Sequence, residues 1–172
     1  MGRQVKAVLF DRDGTLVKDV PYNGDPHRVE PVPTAARALK LLRANEICTG
    51  VITNQSGVAR KLITAEQVNQ VNARIEQLLG AFDTWQICPH DHDDGCGCRK
   101  PEPGMVFTAC TALNLDPDDV IVIGDVESDM TAARNAGSRS VLVPTTATRI
   151  EEIERAKVTA ADLKAAVDWA LS

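Results

Sequence analysis

The sequence predicts an α/β fold in which a doubly wound, Rossmann-like parallel sheet carries helices on both faces. Short apolar runs alternate with amphipathic helical segments along the chain. Clusters of polar residues follow these runs where each strand would end, and no repeat, low-complexity tract or linker interrupts the alternation. We therefore expect residues 1–172 to form one domain without a separate cap domain, with ligands beyond the carboxyl ends of the strands.

Composition narrows the function classes. With 172 residues, of which 44% are hydrophobic, the chain can bury a sizeable core. A net charge of −5 and the absence of basic runs argue against nucleic acid as the main partner. No apolar stretch approaches the roughly 18 residues of a membrane span or forms a secretory leader. We predict a cytoplasmic protein with no membrane partner and, because no long apolar stripe is left over, a monomer.

Apolar periodicity and capping signals place the elements. The predicted strands are residues 7–10, 47–52, 85–87, 120–123 and 140–143. The predicted helices are residues 34–45, 64–79, 105–115, 126–136, 150–156 and 160–171. Thr64 and Gln67 have the spacing of a capping box, and Gly80 is a stop signal for the same helix. Thr159 is the expected cap of the last helix.

The first strand ends in Asp11 and Asp13, followed at once by Gly14. Side chains alternate along a strand, so the two carboxylates can address one small volume while Arg12 points elsewhere. Crowded carboxylates need a hard cation such as Mg²⁺ or a shared proton. One could then act as a nucleophile on a phosphoryl group and the other as general acid and base. Taken alone, an ordinary solvated turn explains the pattern better.

The second strand also ends in polar residues. Thr53 and Asn54 could cradle phosphate oxygens, although a helix cap by Ser56 or Asn54 explains this stretch equally well. A loop rich in turn formers lies earlier, between the first strand and the first helix, and it includes Asp19 and Tyr22. Tyr22 could shape a substrate pocket there, although a loop tyrosine more often packs on its neighbours.

A metal site is predicted in the loop that follows the third strand, residues 88–98. Cys-x-His, a short acidic stretch and Cys-x-Cys offer four soft or borderline ligands: Cys88, His90, Cys96 and Cys98. They suit tetrahedral Zn²⁺ in a closed, structural site. His92 is the rival imidazole, and iron in place of zinc stays open. Untethered thiols this close together would be prone to oxidation.

Two cations follow the metal loop directly. Lys100 could neutralise a transferring phosphoryl group, and Arg99 could bind a second anionic group. A solvated basic pair is the usual alternative for such a dipeptide. The central strand 120–123 ends in Asp125, with Asp129 four residues later, so a third carboxylate completes a magnesium site.

The assembled pattern resembles the haloacid dehalogenase-like phosphatases. The matching motifs are Asp11-Arg12-Asp13-Gly14-Thr15, Thr53-Asn54, Lys100, and Gly124-Asp125 with Asp129. The resemblance implies a nucleophile at Asp11 and an acid/base at Asp13, with Mg²⁺ on Asp11, the Asp13 backbone carbonyl and Asp125. It also implies phosphate contacts from Thr53, Asn54 and Lys100. Substrate recognition would be assisted by Arg99 and by the loop from Asp19 to Tyr22.

The metal loop narrows the resemblance to the heptose 1,7-bisphosphate 7-phosphatases and, slightly less, to the histidinol-phosphate phosphatases. A small phosphorylated metabolite is thus the expected substrate, most simply a heptose bisphosphate losing its 7-phosphate through an aspartyl-phosphate. Lys61 departs from the usual glycine and Val126 from a frequent lysine. The rivals are a histidinol-phosphate phosphatase, for which acidic groups would be wanted opposite the phosphate, and a non-catalytic, zinc-stapled binding module.

Overall fold

The computed structural model describes residues 4–172, and its centre is a five-stranded sheet. The strands are β1 (Ala7–Phe10), β2 (Cys48–Asn54), β3 (Thr84–Cys88), β4 (Val120–Gly124) and β5 (Arg139–Leu142). They lie in the order β3-β2-β1-β4-β5, and every neighbouring pair is parallel. The predicted fold class is therefore confirmed.

The described part of the chain forms six α-helices. They are α1 (Ala35–Ala44), α2 (Ala65–Leu79), α3 (Gly104–Leu113), α4 (Glu127–Ala136), α5 (Ile150–Arg155) and α6 (Leu163–Leu171). One apolar core joins α1, α2 and α6 to one face of the sheet, and a second joins α3 and α4 to the other face. The four residues of β1 are fully buried, as a central strand between two helical layers requires.

Helix α2 shows how the local sequence fixes an element that later matters for the site. The Thr64 side chain accepts a hydrogen bond from the Gln67 backbone N–H, and the Gln67 side chain accepts one from the Thr64 backbone. This capping box fixes the first turn, as predicted. Gly80 ends the helix with a φ of 88°, which favours glycine. The inward side chains are Val68, Val71, Asn72, Ile75 and Leu79.

The last helix differs from the prediction. Helix α6 begins at Leu163, and its cap is Asp162, whose carboxylate accepts the Ala165 backbone N–H at 2.8 Å. Thr159 is instead part of an extended segment bridged to Leu142 of β5. Pairing with the sheet edge therefore continues past the expected start of the helix. Among residues 4–172, no helix combines the length and apolar character needed to cross a membrane.

The strand order creates a crevice. From β1 the chain winds outward through β2 to β3, and it then returns to build β4 and β5 on the other side of β1. Neighbouring connections diverge where the winding reverses, between β1 and β4, and ligands bind at such points in open α/β sheets. The polar residues that end β1, β2 and β4 converge there. The single-domain organisation stays a prediction.

Candidate active site

Three carboxylates meet at the carboxyl ends of β1 and β4. The backbone N–H of Asp11 donates to the Ile123 carbonyl at 2.9 Å, so the ladder between the two strands continues to this residue. Asp11, Asp125 and Asp129 are buried, and each offers an oxygen within 4.8 Å of the others. Oxygens this close form a site in which a hard divalent cation fits.

The turn after β1 is built around Asp125. Gly14 has a φ of 83°, and a Cβ at this position would collide with the Asp125 carboxylate. The adjacent Thr15 hydroxyl donates to Asp125 Oδ1 at 3.2 Å. On the other side, the Thr148 hydroxyl donates to the Asp125 backbone carbonyl at 2.7 Å. Glycine is needed here for both its backbone conformation and the close approach.

Lys100 reaches the carboxylate cluster from the segment that follows the metal loop, and it is only 4% exposed. Its ammonium nitrogen lies 2.8 Å from Asp11 Oδ1, 2.6 Å from Asp129 Oδ1 and 2.9 Å from the Ile52 carbonyl. The three N–H groups therefore have three acceptors. Burial acts to lower the pKa of Lys100, but the two carboxylates outweigh burial and raise it, so the side chain is a permanent cation.

The charges of this cluster fit Mg²⁺. Among residues 4–172, Lys100 is the one cation that contacts this cluster, through Asp11 and Asp129, so three ionised carboxylates would leave an excess of two negative charges. Burial raises the pKa of Asp125 to about 8, with further increases from Asp11 and Asp129. Burial likewise raises the pKa of Asp11, against the opposing effect of Lys100. One divalent cation would neutralise the excess and favour the ionised carboxylates.

Asp13 lies beside this cluster but makes different contacts. Arg12 Nε donates to both oxygens of Asp13, at 3.0 Å and 3.2 Å. Gln55 Nε2 donates to Asp13 Oδ2 at 2.9 Å and to the Thr53 hydroxyl at 2.9 Å. The expectation that Arg12 points elsewhere is thus wrong in one respect: its buried guanidinium turns back to the neighbouring carboxylate.

Asn54 and Thr53 organise their neighbours instead of capping a helix. The Asn54 amide accepts from the Lys100 backbone N–H at 3.0 Å and donates to the Lys100 carbonyl at 3.1 Å. Between β2 and α2 the chain forms turns, so neither Asn54 nor Ser56 caps a helix there. Thr53 is buried at the end of β2. Asn54 therefore fixes the peptide that carries the buried lysine.

The predicted metal loop brings its four ligands together. One atom each of Cys88, His90, Cys96 and Cys98 lies within 4.8 Å of the others. The Cys88 sulfur is 3.7 Å from Cys96 and 3.1 Å from Cys98, and His90 Nδ1 is 3.3 Å from Cys98. Tetrahedral zinc with Zn–S bonds of about 2.3 Å separates its ligands by about 3.7 Å, so the cluster can hold zinc. His92 is exposed and lies beside Asp93, outside the cluster.

The thiols of this loop differ in acidity before a metal binds. Burial acts to raise the pKa of Cys96, but hydrogen bonds, first from the Arg99 backbone N–H, bring it down to about 7. Burial raises the pKa of Cys88 to about 12. Because the thiolate is the metal-binding form, the lower pKa of Cys96 favours its binding to a metal near neutral pH.

Two open spaces adjoin the carboxylates. A pocket of about 260 Å³ is lined by Asp13, Asp19 and Tyr22, and a cleft of about 600 Å³ is lined by Arg99 and Lys100. Burial, followed by the charges of Asp13 and Asp11, raises the pKa of Asp19. A small ligand could reach from one space to the other across the strand ends.

Arg60 connects the rims of these spaces. Its guanidinium donates to the Asp91 carboxylate at 2.7 Å and 2.8 Å and to the Tyr22 hydroxyl at 2.7 Å. Tyr22 is itself 44% exposed, with a φ of 50°. The structure therefore gives Tyr22 a packing partner, and Arg60 joins the loop after β1 to the metal loop.

Sequence reasoning missed several residues that support the site. Asn72 lies on the inward face of α2 and accepts a hydrogen bond from Arg12 Nη1 at 2.8 Å. A polar side chain at an apolar helical spacing was the available signal. Gln55 directly follows the predicted phosphate-binding residues Thr53 and Asn54, but the sequence predicted no role for it. For Thr148, in the loop after β5, the sequence offered no signal.

A strand-end aspartate held by a buried lysine, among carboxylates that can bind a divalent cation, is the site of an enzyme that acts on phosphate esters. The comparisons with known proteins agree with this class. Residues 97–167 match the family model described as HAD-hydrolase-like. The chain belongs to the haloacid dehalogenase-like phosphatases and is a phosphoric monoester hydrolase.

Relatives within the family share a narrower name. The D-glycero-beta-D-manno-heptose-1,7-bisphosphate 7-phosphatase of Pasteurella multocida (strain Pm70) is 33% identical over 86% of this chain and 85% of its own length. The corresponding alpha-heptose enzyme of Mycobacterium tuberculosis (strain ATCC 25618 / H37Rv) is 37% identical over 76% of this chain and 73% of its own.

A solved structure extends the likeness to the fold. The D,D-heptose 1,7-bisphosphate phosphatase of B. bronchiseptica, crystallised with magnesium and phosphate, superposes with a TM-score of 0.85. It is 28% identical, and the match covers 96% of this chain and 97% of that one.

Proposed function

We propose that this phosphatase removes the 7-phosphate of D-glycero-D-manno-heptose 1,7-bisphosphate through an aspartyl-phosphate intermediate. The observation that carries the proposal is Asp11, which lies at the end of β1 with one oxygen on the buried Lys100 and with Asp125 and Asp129 close by. The names of the relatives support the substrate, and they include both anomers.

Magnesium is the proposed catalytic metal. Asp11, Asp125 and the Asp13 backbone carbonyl would hold it, and when bound it would offset the negative charge of the transferring phosphoryl group. Asp129 is assigned a different role, because its oxygens accept from Lys100 and from the Val126 backbone N–H. Asp129 thus anchors the lysine beside the nucleophile.

The chemistry needs two carboxylates in sequence. An oxygen of Asp11 attacks phosphorus, and the bond from phosphorus to the sugar oxygen breaks as Asp13 donates a proton to that oxygen. Asp13, now ionised, takes a proton from a water molecule, which attacks the phosphorus of the aspartyl-phosphate. Inorganic phosphate leaves, Asp11 is regenerated, and the proton stays on Asp13 for the next cycle.

The spaces beside the carboxylates suit a small sugar with two phosphates. Thr53, Asn54 and Lys100 are the proposed contacts of the transferred group. Arg99 lines the larger cleft, where its guanidinium could bind the second phosphate. Asp19 and Tyr22 line the smaller pocket and would contact sugar hydroxyls. We propose that the enzyme works as a monomer on this metabolite, without nucleic-acid or membrane partners.

The metal loop has a structural part in this proposal. Zn²⁺ bound by Cys88, His90, Cys96 and Cys98 would have all its positions filled by protein, and it would therefore supply no catalytic water. Lys100 follows Cys98 by two residues, so the zinc would fix the backbone that delivers the lysine.

Phosphate release in Mg²⁺ from both anomers of the bisphosphate, and from histidinol phosphate, tests the proposal. The better heptose anomer should exceed histidinol phosphate in kcat/KM by at least about 100-fold, since the bisphosphate fills two charged subsites and histidinol phosphate has only one phosphate. Preference for histidinol phosphate would contradict the substrate and would be explained by Asp19, an acidic group in the pocket that could face its cation.

A matched pair of variants sharpens the substrate test. Arg99→Met should raise KM for the bisphosphate but leave KM for heptose 7-phosphate nearly unchanged, because the monoester has no second phosphate. Arg37→Met, which removes an exposed arginine of α1, should change neither value. An equal effect of Arg99→Met on both substrates would remove the second-phosphate role.

A further inference from the structure

Arg12 is among the largest fully buried side chains of the protein, with 1% exposure. Its Nε donates to the Asp13 carboxylate, and its Nη1 donates to the Asn72 side-chain carbonyl at 2.8 Å. Burying a guanidinium is unfavourable unless it is paired and hydrogen-bonded. The chain therefore accepts a substantial desolvation cost in order to hold this group beside Asp13.

Charge compensation of the nucleophile does not explain this arginine. Lys100 already serves Asp11 and Asp129. The partner of Arg12 is Asp13, whose side chain is 24% exposed and projects from the turn after β1. A carboxylate in such a place can rotate unless its oxygens are fixed by neighbours.

Two neighbours hold the Asp13 carboxylate in place, one from before it in the chain and one from after it. Gln55 Nε2, after β2, donates to Oδ2, and Arg12 Nε contacts both oxygens. Arg12 is oriented in turn by Asn72 on α2, a helix with a complete capping box and a buried apolar face. A rigid helix thereby determines the direction of a side chain on a turn.

We propose that Arg12, held by Asn72, is a positioning residue that aims the general acid Asp13 at the oxygen of the leaving group. The proposal rests on the proposed chemistry, in which Asp13 protonates that oxygen. A displaced acid slows only the reactions that need protonation. An alkyl phosphate has a strongly basic leaving group and needs the acid, whereas an aryl phosphate such as p-nitrophenyl phosphate leaves readily without it.

The test compares kcat/KM for these two esters in Mg²⁺, because this ratio reports the steps up to departure of the alcohol. Arg12→Met should reduce kcat/KM for the sugar phosphate by about 100-fold or more and for p-nitrophenyl phosphate by less than about 10-fold. Asn72→Ala, which leaves Asp13 and Arg12 in place, should produce the same selectivity at smaller size. Arg12→Lys should restore part of the sugar-phosphate activity, since an ammonium can still contact Asp13.

Arg43→Met is the matched control. Arg43 also has a structural guanidinium, which donates to the Leu79 and Ala81 carbonyls at the end of α2, away from the carboxylates. It should alter thermal stability without altering the ratio between the esters. Equal losses for both esters in Arg12→Met and Asn72→Ala would overturn the proposal and leave Arg12 a purely structural role.

Failure of the Arg12 proposal can be distinguished from failure of the proposed substrate. If the wild-type enzyme prefers histidinol phosphate, the heptose assignment fails, and histidinol phosphate replaces the sugar as the alkyl ester in the comparison. If Arg12→Met proves unfolded by circular dichroism, Asn72→Ala and Arg12→Lys decide the question with the same pair of esters.

Discussion

The protein has two clusters of metal-binding side chains that differ in chemistry, burial and charge. The carboxylates at the ends of β1 and β4 are buried oxygen ligands, and a lysine already contacts two of them. The cluster of the metal loop consists of three sulfurs and one imidazole, of which only Cys88 is a fully buried residue. The first suits Mg²⁺ and the second suits Zn²⁺.

This difference in ligands explains why the carboxylates can serve catalysis, whereas the metal loop can have only a structural role. Four protein ligands complete a tetrahedral zinc and leave no position for substrate. Asp11, Asp125 and the Asp13 carbonyl would leave Mg²⁺ with positions for phosphate oxygens or water, since Mg²⁺ prefers six ligands. The two clusters are linked along the chain, because Lys100 lies two residues after Cys98. A substitution in the cluster of the metal loop (the sulfur cluster) should therefore also lower activity at the carboxylates (the oxygen cluster), but by less than a substitution of a carboxylate itself.

The largest effect is expected at the nucleophile. Asp11→Asn should reduce phosphate release by about 10³-fold or more, because an amide cannot form the aspartyl-phosphate. The variant should still fold, since the side chain keeps its size. Asp168→Asn, at an exposed ion pair of α6, is the control and should retain full activity. Comparable activity in the two variants would refute a nucleophile at Asp11.

A smaller effect is expected in the sulfur cluster. Cys98→Ser should release the bound metal, lower the Tm by about 5 °C and reduce kcat/KM by about 10-fold, because the peptide that carries Lys100 loses its anchor. Metal content measured by atomic absorption, together with calorimetry, checks this. Cys110→Ser, at a buried thiol of α3 outside the cluster, should keep its metal. Metal retained in Cys98→Ser would show that the residue is not a ligand.

The oxygen cluster should also have a pH signature. Without Mg²⁺, burial and neighbouring carboxylates raise the pKa of Asp125 to about 8 in the folded protein, against an unfolded value of 3.8. Between these values the folded state holds a proton that the unfolded chain has lost, so stability decreases as pH rises through this window. Mg²⁺ requires ionised ligands and should offset the decrease at the upper end.

Thermal unfolding between about pH 5 and pH 8, with and without Mg²⁺, measures this signature. Asp125→Asn is the control, and its stability should lose most of the pH slope and most of the response to Mg²⁺. A Tm of the metal-free wild type that rises across this range would contradict the assignment.

The smallest effect is expected at the rim. Arg60→Met removes the contacts that join Tyr22 to Asp91, and it should raise KM by about threefold with little change in kcat, since exposed ion pairs contribute little. Arg155→Met, which breaks an exposed ion pair with Glu127, is the matched control and should leave KM unchanged. A loss of kcat of about 10-fold in Arg60→Met would mean that the rim takes part in the chemistry.

Much of this architecture could be predicted from local sequence signals. Apolar runs identified the strands, and the Thr64 capping box identified α2, because hydrogen bonds within a few residues determine such features. The spacing of cysteines and histidine indicated a metal loop for the same reason. The prediction that Thr159 caps the last helix was wrong because Thr159 pairs with Leu142 of β5. Such pairing depends on residues distant in the sequence.

The support of the site could not be predicted in this way. The contact of Arg12 with Asn72 joins residues 60 positions apart and exists only because α2 packs over the turn after β1. Asn54, the last residue of β2, likewise meets Lys100, which lies 46 positions later in the chain. Lys61, which stands where related enzymes usually have glycine, affects only its own backbone: its φ of 58° is a conformation that favours glycine. That departure strains the backbone and leaves the carboxylates untouched.

In the proposed mechanism Asp11 is the nucleophile that becomes phosphorylated, and Asp13 is the general acid and base. Asp13→Asn with p-nitrophenyl phosphate and Mg²⁺ tests both parts, because the aryl group leaves without an acid whereas hydrolysis of the aspartyl-phosphate needs a base. We expect a stoichiometric burst of nitrophenol and a phosphoryl group on the peptide that contains Asp11, detected by mass spectrometry after acid quenching. A phosphoryl group on another peptide, or steady turnover without a burst, would contradict it.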